Sequence, residues 1–286
     1  MHAYTLGDWG LLVAIALIWG SSFLFMEIGL RSLAPGVITL MRVALGVGTL
    51  ALFARARTPI DREDRGRVVL LGVVWVAIPL TLLPIAQQWI SSSVTGMING
   101  AMPIFAAAWA TYLLRRLPGW RQLLGIALGF GGIVLVFVPE LQAGADEALG
   151  ALIALFAISF YGLATNLAVP VQQKYGALSV IFRVQLVALL LVLPLGLWQL
   201  QDSTWSTESV LAMIPLGVLG TGVAFSLMAT LTGRVGGPRA SIAIYFLPLV
   251  AIVLGVAILG ESVAPIAIAG IALVLAGAWI ASRREG

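Results

Sequence analysis

The sequence predicts an all-α membrane protein: ten transmembrane helices in two inverted five-helix repeats, with both termini cytoplasmic. Composition, the placement of basic residues and an internal repeat lead to that expectation. Of 286 residues, 60% are hydrophobic and only 10% charged, and the mean hydropathy is +1.06. Soluble domains carry about 25% charged residues, so this chain cannot cover a water-facing surface and takes the bilayer as its solvent. It has no Cys, and its one His is His2. Disulfides, thiolate chemistry and Cys metal sites are therefore excluded, and neither a metal nor a cofactor is expected.

A spanning helix needs about 20 apolar residues. Ten such stretches follow one another, at 9–27, 35–54, 68–90, 93–114, 120–138, 148–169, 178–200, 210–231, 239–259 and 264–282, with charges, Gly and Pro in the gaps. The first begins after Asp8 with no Lys or Arg before it. It lacks the basic start of a cleaved signal peptide and is expected to persist as a helix. The weakest gap is Ser91-Ser92-Ser93, between the third and fourth stretches.

Short cytoplasmic loops collect Lys and Arg. With the N-terminus inside, the inner segments hold Arg55, Arg57, Arg62, Arg65, Arg67, Arg115, Arg116, Arg121, Lys174, Arg234, Arg239, Arg283 and Arg284. That is thirteen, against Arg31 alone outside. One missed helix would scramble the sides downstream of it, so the split supports the count. It also accounts for the pI near 10 through topology, and no nucleic-acid partner is needed. The expected location is the inner (plasma) membrane.

An offset of 145 relates Gly125-Ile126-Ala127-Leu128 to Gly270-Ile271-Ala272-Leu273, Pro103 to Pro248, and Gly132 to Gly277. Trp19-Gly20 with Arg42 echoes Tyr161-Gly162 with Arg183 when one residue of gap is allowed. The halves are 1–140 and 141–286. Each has an odd number of spans, so the second enters the membrane from the opposite side. Inverted repeats of this kind build transporters, because one pattern then forms inward-open and outward-open states of similar energy. A monomer suffices for this.

The chain resembles the drug/metabolite transporter superfamily in its ten-helix EamA-like branch. The resemblance rests on Ile18-Trp19-Gly20-Ser21-Ser22-Phe23 with Pro35 and Arg42 after it. It also rests on Tyr245-Phe246-Leu247-Pro248, Leu259-Gly260-Glu261, Gly270 and Gly277. The first copy departs from the pattern, with Arg115-Arg116-Leu117 where the family often repeats Gly-Glu. The resemblance implies export of amino acids or other small metabolites and leaves the solute open.

Candidate substrate-binding residues are Trp19, Asn99, Tyr161, Tyr245, Thr81 and Gln88. Trp19 and Tyr161 lie at mid-depth, away from the interfacial belt where Trp9, Trp89, Trp120, Trp198 and Trp205 belong. Asn99 and Tyr245 precede Pro103 and Pro248 by three to four residues, and an Asn at that depth requires a partner or water. Interhelical packing is the competing reading for all four. Pro79 and Pro84 break hydrogen bonds inside the third span, where Thr81, Gln87 and Gln88 can line a cavity. Pro79, Pro84, Pro103 and Pro248, with Glu27, Arg42 and Arg183, form the gating or structural set. A Glu27–Arg42 pair is expected, and carboxylate binding is the sharper reading of the arginines.

Apart from Glu27 every acid sits in or near a loop, so no mid-membrane proton carrier is expected and the reading is a facilitator or exchanger. Within transport, a drug, nucleobase or nucleotide-sugar carrier competes, although phosphates call for more buried cations. A membrane-embedded lipid enzyme needs clustered acids, His or a nucleophile–base pair, which the sequence lacks. A pore would carry repeated filter motifs.

Overall fold

The computed structural model describes residues 5–114, 119–235, 240 and 242–282. His2, Arg115, Arg116, Leu117, Arg239, Arg283 and Arg284 lie outside them. Regular structure among the described residues is helical. The elements are α1 (Leu6–Leu30), α2 (Pro35–Ala51), α3 (Arg62–Ala86), α4 (Ser92–Asn99), α5 (Met102–Leu114) and α6 (Trp120–Ala143). They continue as α7 (Ala145–Tyr175), α8 (Ala177–Trp198), α9 (Thr207–Val235), α10 (Ile242–Leu259) and α11 (Pro265–Ser282). Among the described residues seven runs are long and apolar enough to cross a membrane: α1, α3, α6, α7, α8 extended to Asp202, α9 and α10. Helix α2 and the Pro265–Ile280 part of α11 are apolar but shorter.

Helix α1 starts earlier than its apolar stretch because Thr5 and Asp8 form a capping box. The Thr5 hydroxyl accepts from the Asp8 N–H at 3.2 Å, and the Asp8 carboxylate accepts from the Thr5 N–H at 3.0 Å. Three sequence expectations require correction. The stretch 93–114 is not one helix, because the chain breaks at Gly100 and Ala101. Pro103 has no N–H and its ring clashes with the carbonyl four residues back, at Asn99. Its counterpart Pro248 follows a matching break at Phe246 within α10. The third stretch ends at Ala86, so Gln87 and Gln88 sit in the turn after the helix.

Pro84 does lie inside α3, and the carbonyl it orphans, Leu80, accepts from the buried Thr39 hydroxyl of α2 at 2.8 Å. The freed group is thus satisfied by protein, as lipid surroundings demand.

The outer surface is apolar, with Phe130, Phe156, Leu190, Val253 and Ile258 exposed. Inside, helices meet at glycines. Gly72 of α3 rests on the Val184 carbonyl and the Val187 side chain of α8, and Gly217 of α9 rests on the Arg42 carbonyl and Leu45 of α2. Gly20 of α1 abuts Val250 of α10, and Gly162 of α7 abuts Phe105 of α5. Gly132 of α6 lies against Gly270 of α11, and Gly277 against Gly125 and Gly129, with backbone touching backbone.

The Gly72 and Gly217 contacts are numerically related: Gly72 and Gly217 differ by 145, and Arg42 and Leu45 differ from Val184 and Val187 by 142. Arg183 turns to the loop, where its Nη2 donates to the Arg57 carbonyl at 3.1 Å.

Candidate functional site

Two of the helices carry π-helical segments, Gly72–Ala77 in α3 and Pro215–Val223 in α9. A π segment widens the helix and shifts backbone pairing, and such segments recur at functional sites. Here the α9 segment collects donors from three other helices. Trp19 Nε1 of α1 donates to the Gly220 carbonyl at 3.0 Å, and Gln185 Nε2 of α8 donates to the Thr221 carbonyl at 2.8 Å. Arg42 Nε of α2 donates to Thr221 Oγ1 at 2.8 Å. The Thr221 hydroxyl donates onward to the Leu216 carbonyl at 3.1 Å, which turns its lone pair toward Arg42. One helical turn on, Phe225 meets Trp19 edge-to-face at 5.4 Å and Trp75 at 5.9 Å.

Arg42 is only 7% exposed. Its guanidinium stays charged and carries five N–H donors, of which one is engaged by Thr221. Among the described residues no carboxylate stands within ion-pair distance of it. The expected Glu27–Arg42 pair does not form. A cation within a membrane span is costly to hold away from water, so such a residue is a candidate for function by default.

Glu27 instead accepts from Gln87 Nε2 at 3.0 Å, and the same amide nitrogen reaches the Phe23 carbonyl at 3.2 Å. Both residues line a cavity of about 780 Å³ at the end of the bundle that the charge count assigns to the outside. Gln88, Arg31, Pro35, Gln199 and Asp202 complete much of its wall, and Arg31 pairs with Glu208 at 2.7 Å beside it. The opposite end is tied by Lys174 of α7, 2.8 Å from Asp64 and 3.1 Å from Asp61, with the Tyr175 hydroxyl 2.8 Å from both carboxylates. The Tyr175 hydroxyl and then the Lys174 ammonium hold the Asp61 carboxyl below the usual carboxylate range.

The structure therefore brings Trp19 and Arg42 to the same segment of α9 and places Glu27 and Gln88 at the outer cavity. Asn99 is buried at the end of α4. Tyr245 donates to the Ala278 carbonyl at 3.3 Å, a link between α10 and α11. Thr81 is half-buried on α3. Neither Asn99, Tyr245 nor Thr81 bonds to the Thr221 cluster.

Sequence reading passed over Thr221, Gln185 and the role of Glu261. Thr221 sits between Gly220 and Gly222 in an apolar stretch after Pro215, a pattern that marks a loosened helix. Gln185 is an amide well inside a span. Glu261 follows Gly260, whose φ of 70° turns the chain out of α10. Its carboxylate accepts the Ser92 and Ser93 N–H groups of α4 at 2.9 Å each, and the Ser93 hydroxyl as well.

Comparison with known proteins agrees with this architecture. The uncharacterized transporter YoaV of Bacillus subtilis (strain 168) is 23% identical over 276 residues, 94% of each chain. A probable terminal-alkyne amino-acid exporter of Streptantibioticus cattleyicolor is 24% identical over 281 residues, 96% of this chain and 93% of its own. An S-adenosylmethionine/S-adenosylhomocysteine transporter of Chlamydia trachomatis serovar D is 33% identical over 160 residues, 51% of this chain and 48% of its own. A crystal structure covering 97% of both chains shares the fold, with a TM-score of 0.67 at 15% identity. The EamA-like transporter family matches residues 7–138 and again 148–283. With nearly the whole chain covered, this apolar helical bundle belongs to the EamA-like transporter family and is a membrane transporter.

Proposed function

We propose that the protein exports amino acids or related small metabolites across the inner membrane by alternating access. It crosses ten times, as two inverted five-helix halves, 1–140 and 141–286, with both termini cytoplasmic. The carrying observation is the exchange of contacts between the halves. Gly72 on Val184 and Val187 recurs as Gly217 on Arg42 and Leu45, and the Gly132–Gly270 contact recurs as Gly277–Gly125. Equivalent contacts in exchanged roles are what two antiparallel copies produce, and they let one half take the packing of the other when access switches. Separate family matches to each half support the same division. The terminal-alkyne amino-acid exporter and the S-adenosylmethionine transporter among the relatives favour cargo with an amino-acid moiety. Flux down the solute gradient, or by exchange, fits the engagement of Glu27 by Gln87.

The natural absence of Cys makes single-cysteine accessibility a direct test. Gln88→Cys is expected to react with an impermeant maleimide from outside, and Lys174→Cys only from the cytoplasmic side. Saturating substrate should change the two reactivities in opposite directions. Labelling of both from one side contradicts the topology, and parallel changes contradict alternating access.

A further inference from the structure

We infer that the free edge of the Arg42 guanidinium is the docking point for a carboxylate of the transported solute. Arg42 is the buried Lys or Arg among the described residues; every other described cation is partly or fully exposed. Its Nε is fixed by Thr221 Oγ1, which is itself fixed by the Leu216 carbonyl. The side chain is thereby anchored at one atom, with both Nη groups left without an acceptor among the described residues. Neither Nη nitrogen is among the fully enclosed orphan polar atoms of the described residues, which are Asp8 Oδ1, Gln87 Oε1, Ser92 Oγ and Gln185 Oε1. An anchored guanidinium with two parallel donors left over matches a carboxylate bidentately. A lone cation neutralises one negative charge. A phosphate dianion would bring a second charge with no second buried cation to meet it, so the match is to a monocarboxylate.

The anchor also places the site at a close contact between α2 and α9. Thr221 lies in the π segment of α9, and Arg42 stands at the Gly217 contact between α2 and α9. A carboxylate on Arg42 therefore sits where the two halves exchange contacts, and its binding energy is available to bias the switch. The inference takes its biological meaning from the transport reading above, but the binding site can be tested without flux.

The first arm is binding to the purified protein, read by thermal stabilisation and by tryptophan fluorescence. The probes are individual L-amino acids, each matched with its carboxamide, together with benzoate and inorganic phosphate. At least one amino acid is expected to bind about 10- to 100-fold more tightly than its amide, the range of a lost charged hydrogen-bond pair. Phosphate is expected not to compete. Arg42→Gln should bring the acid down to the level of the amide, and Arg42→Lys should restore part of the difference. Thr221→Val, which frees Nε, should narrow the acid-to-amide ratio. Amides binding as well as acids, no carboxylate binding at all, phosphate binding more tightly, or an unchanged ratio in Arg42→Gln would overturn the inference. If Arg42→Gln does not fold, the wild-type ratio and Thr221→Val decide.

The second arm is counterflow of the same pairs in proteoliposomes. Acid-selective binding without counterflow leaves the carboxylate site standing and removes the transport reading. Counterflow that ignores the carboxylate does the reverse.

Discussion

Glu261→Ala is expected to lower stability by about 3–5 kcal/mol and to deplete the protein from the membrane. The chain leaves α10 through Gly260, and the Glu261 N–H then bonds back to the Gly255 carbonyl at 3.1 Å. This return aims the carboxylate at the N-terminus of α4, whose first N–H groups have no partner within their own helix. Ser92 and Ser93 are fully buried, so water cannot replace the carboxylate once it is gone. Hydrogen bonds to a charged group contribute about 1.5–3 kcal/mol each, and the helix dipole adds to them. Glu261→Gln keeps one acceptor oxygen and should lose about half as much. Unfolding midpoints in detergent, with membrane yield, measure the series. Normal stability with lost flux would instead make Glu261 a transport residue.

Gly132→Leu and Gly277→Leu are expected to be the most disruptive single changes in the bundle, and to be about equally so. A Cβ at Gly132 would come within 2.5 Å of the Gly270 carbonyl oxygen, and one at Gly277 within 2.5 Å of the Gly125 carbonyl. Overpacking a core costs about 1–3 kcal/mol when side chains can shift. Here the obstacle is backbone, so α6 and α11 must separate and at least about 3 kcal/mol is expected. Gly131→Leu is the internal control, because a Cβ there meets open space and faces outward. Comparable unfolding midpoints for the Gly131 and Gly132 variants would contradict the close α6–α11 contact. Unequal loss at Gly132 and Gly277 would weaken the two-fold relation between the halves.

Much of the fold was legible because the bilayer imposes a simple rule. Every stretch read as an apolar span carries helix among its described residues, and Gly125, Gly132, Gly270 and Gly277, picked out in the sequence, all lie at the α6–α11 contact. Helix ends were less legible, since Thr5 and Asp8 extend α1 by hydrogen bonding and hydropathy does not register that. The breaks at Gly100–Ala101 and Phe246 were announced by Pro103 and Pro248, yet a hydropathy window averages across them.

The site was legible in part. An aromatic at mid-depth, Trp19, and a cation inside a span, Arg42, stand out against an apolar background. Their partners did not, because a hydroxyl such as Thr221 is common in membrane helices and acquires its role from the π segment around it. Charge alone also misled. Glu27 and Arg42 are close in sequence and opposite in sign, but Gln87 reaches the acid and Thr221 the base. Arg183 resembled a second Arg42, yet its guanidinium reaches the Arg57 carbonyl at the loop.

The most direct test of the account is counterflow in proteoliposomes loaded with unlabelled amino acids, adding one labelled amino acid at a time. Transient, saturable accumulation that the same unlabelled solute competes away, independent of an imposed pH gradient, is the result expected of a carrier with alternating access. Flux that rises linearly with concentration, or no accumulation across the whole amino-acid set in folded protein, would contradict it.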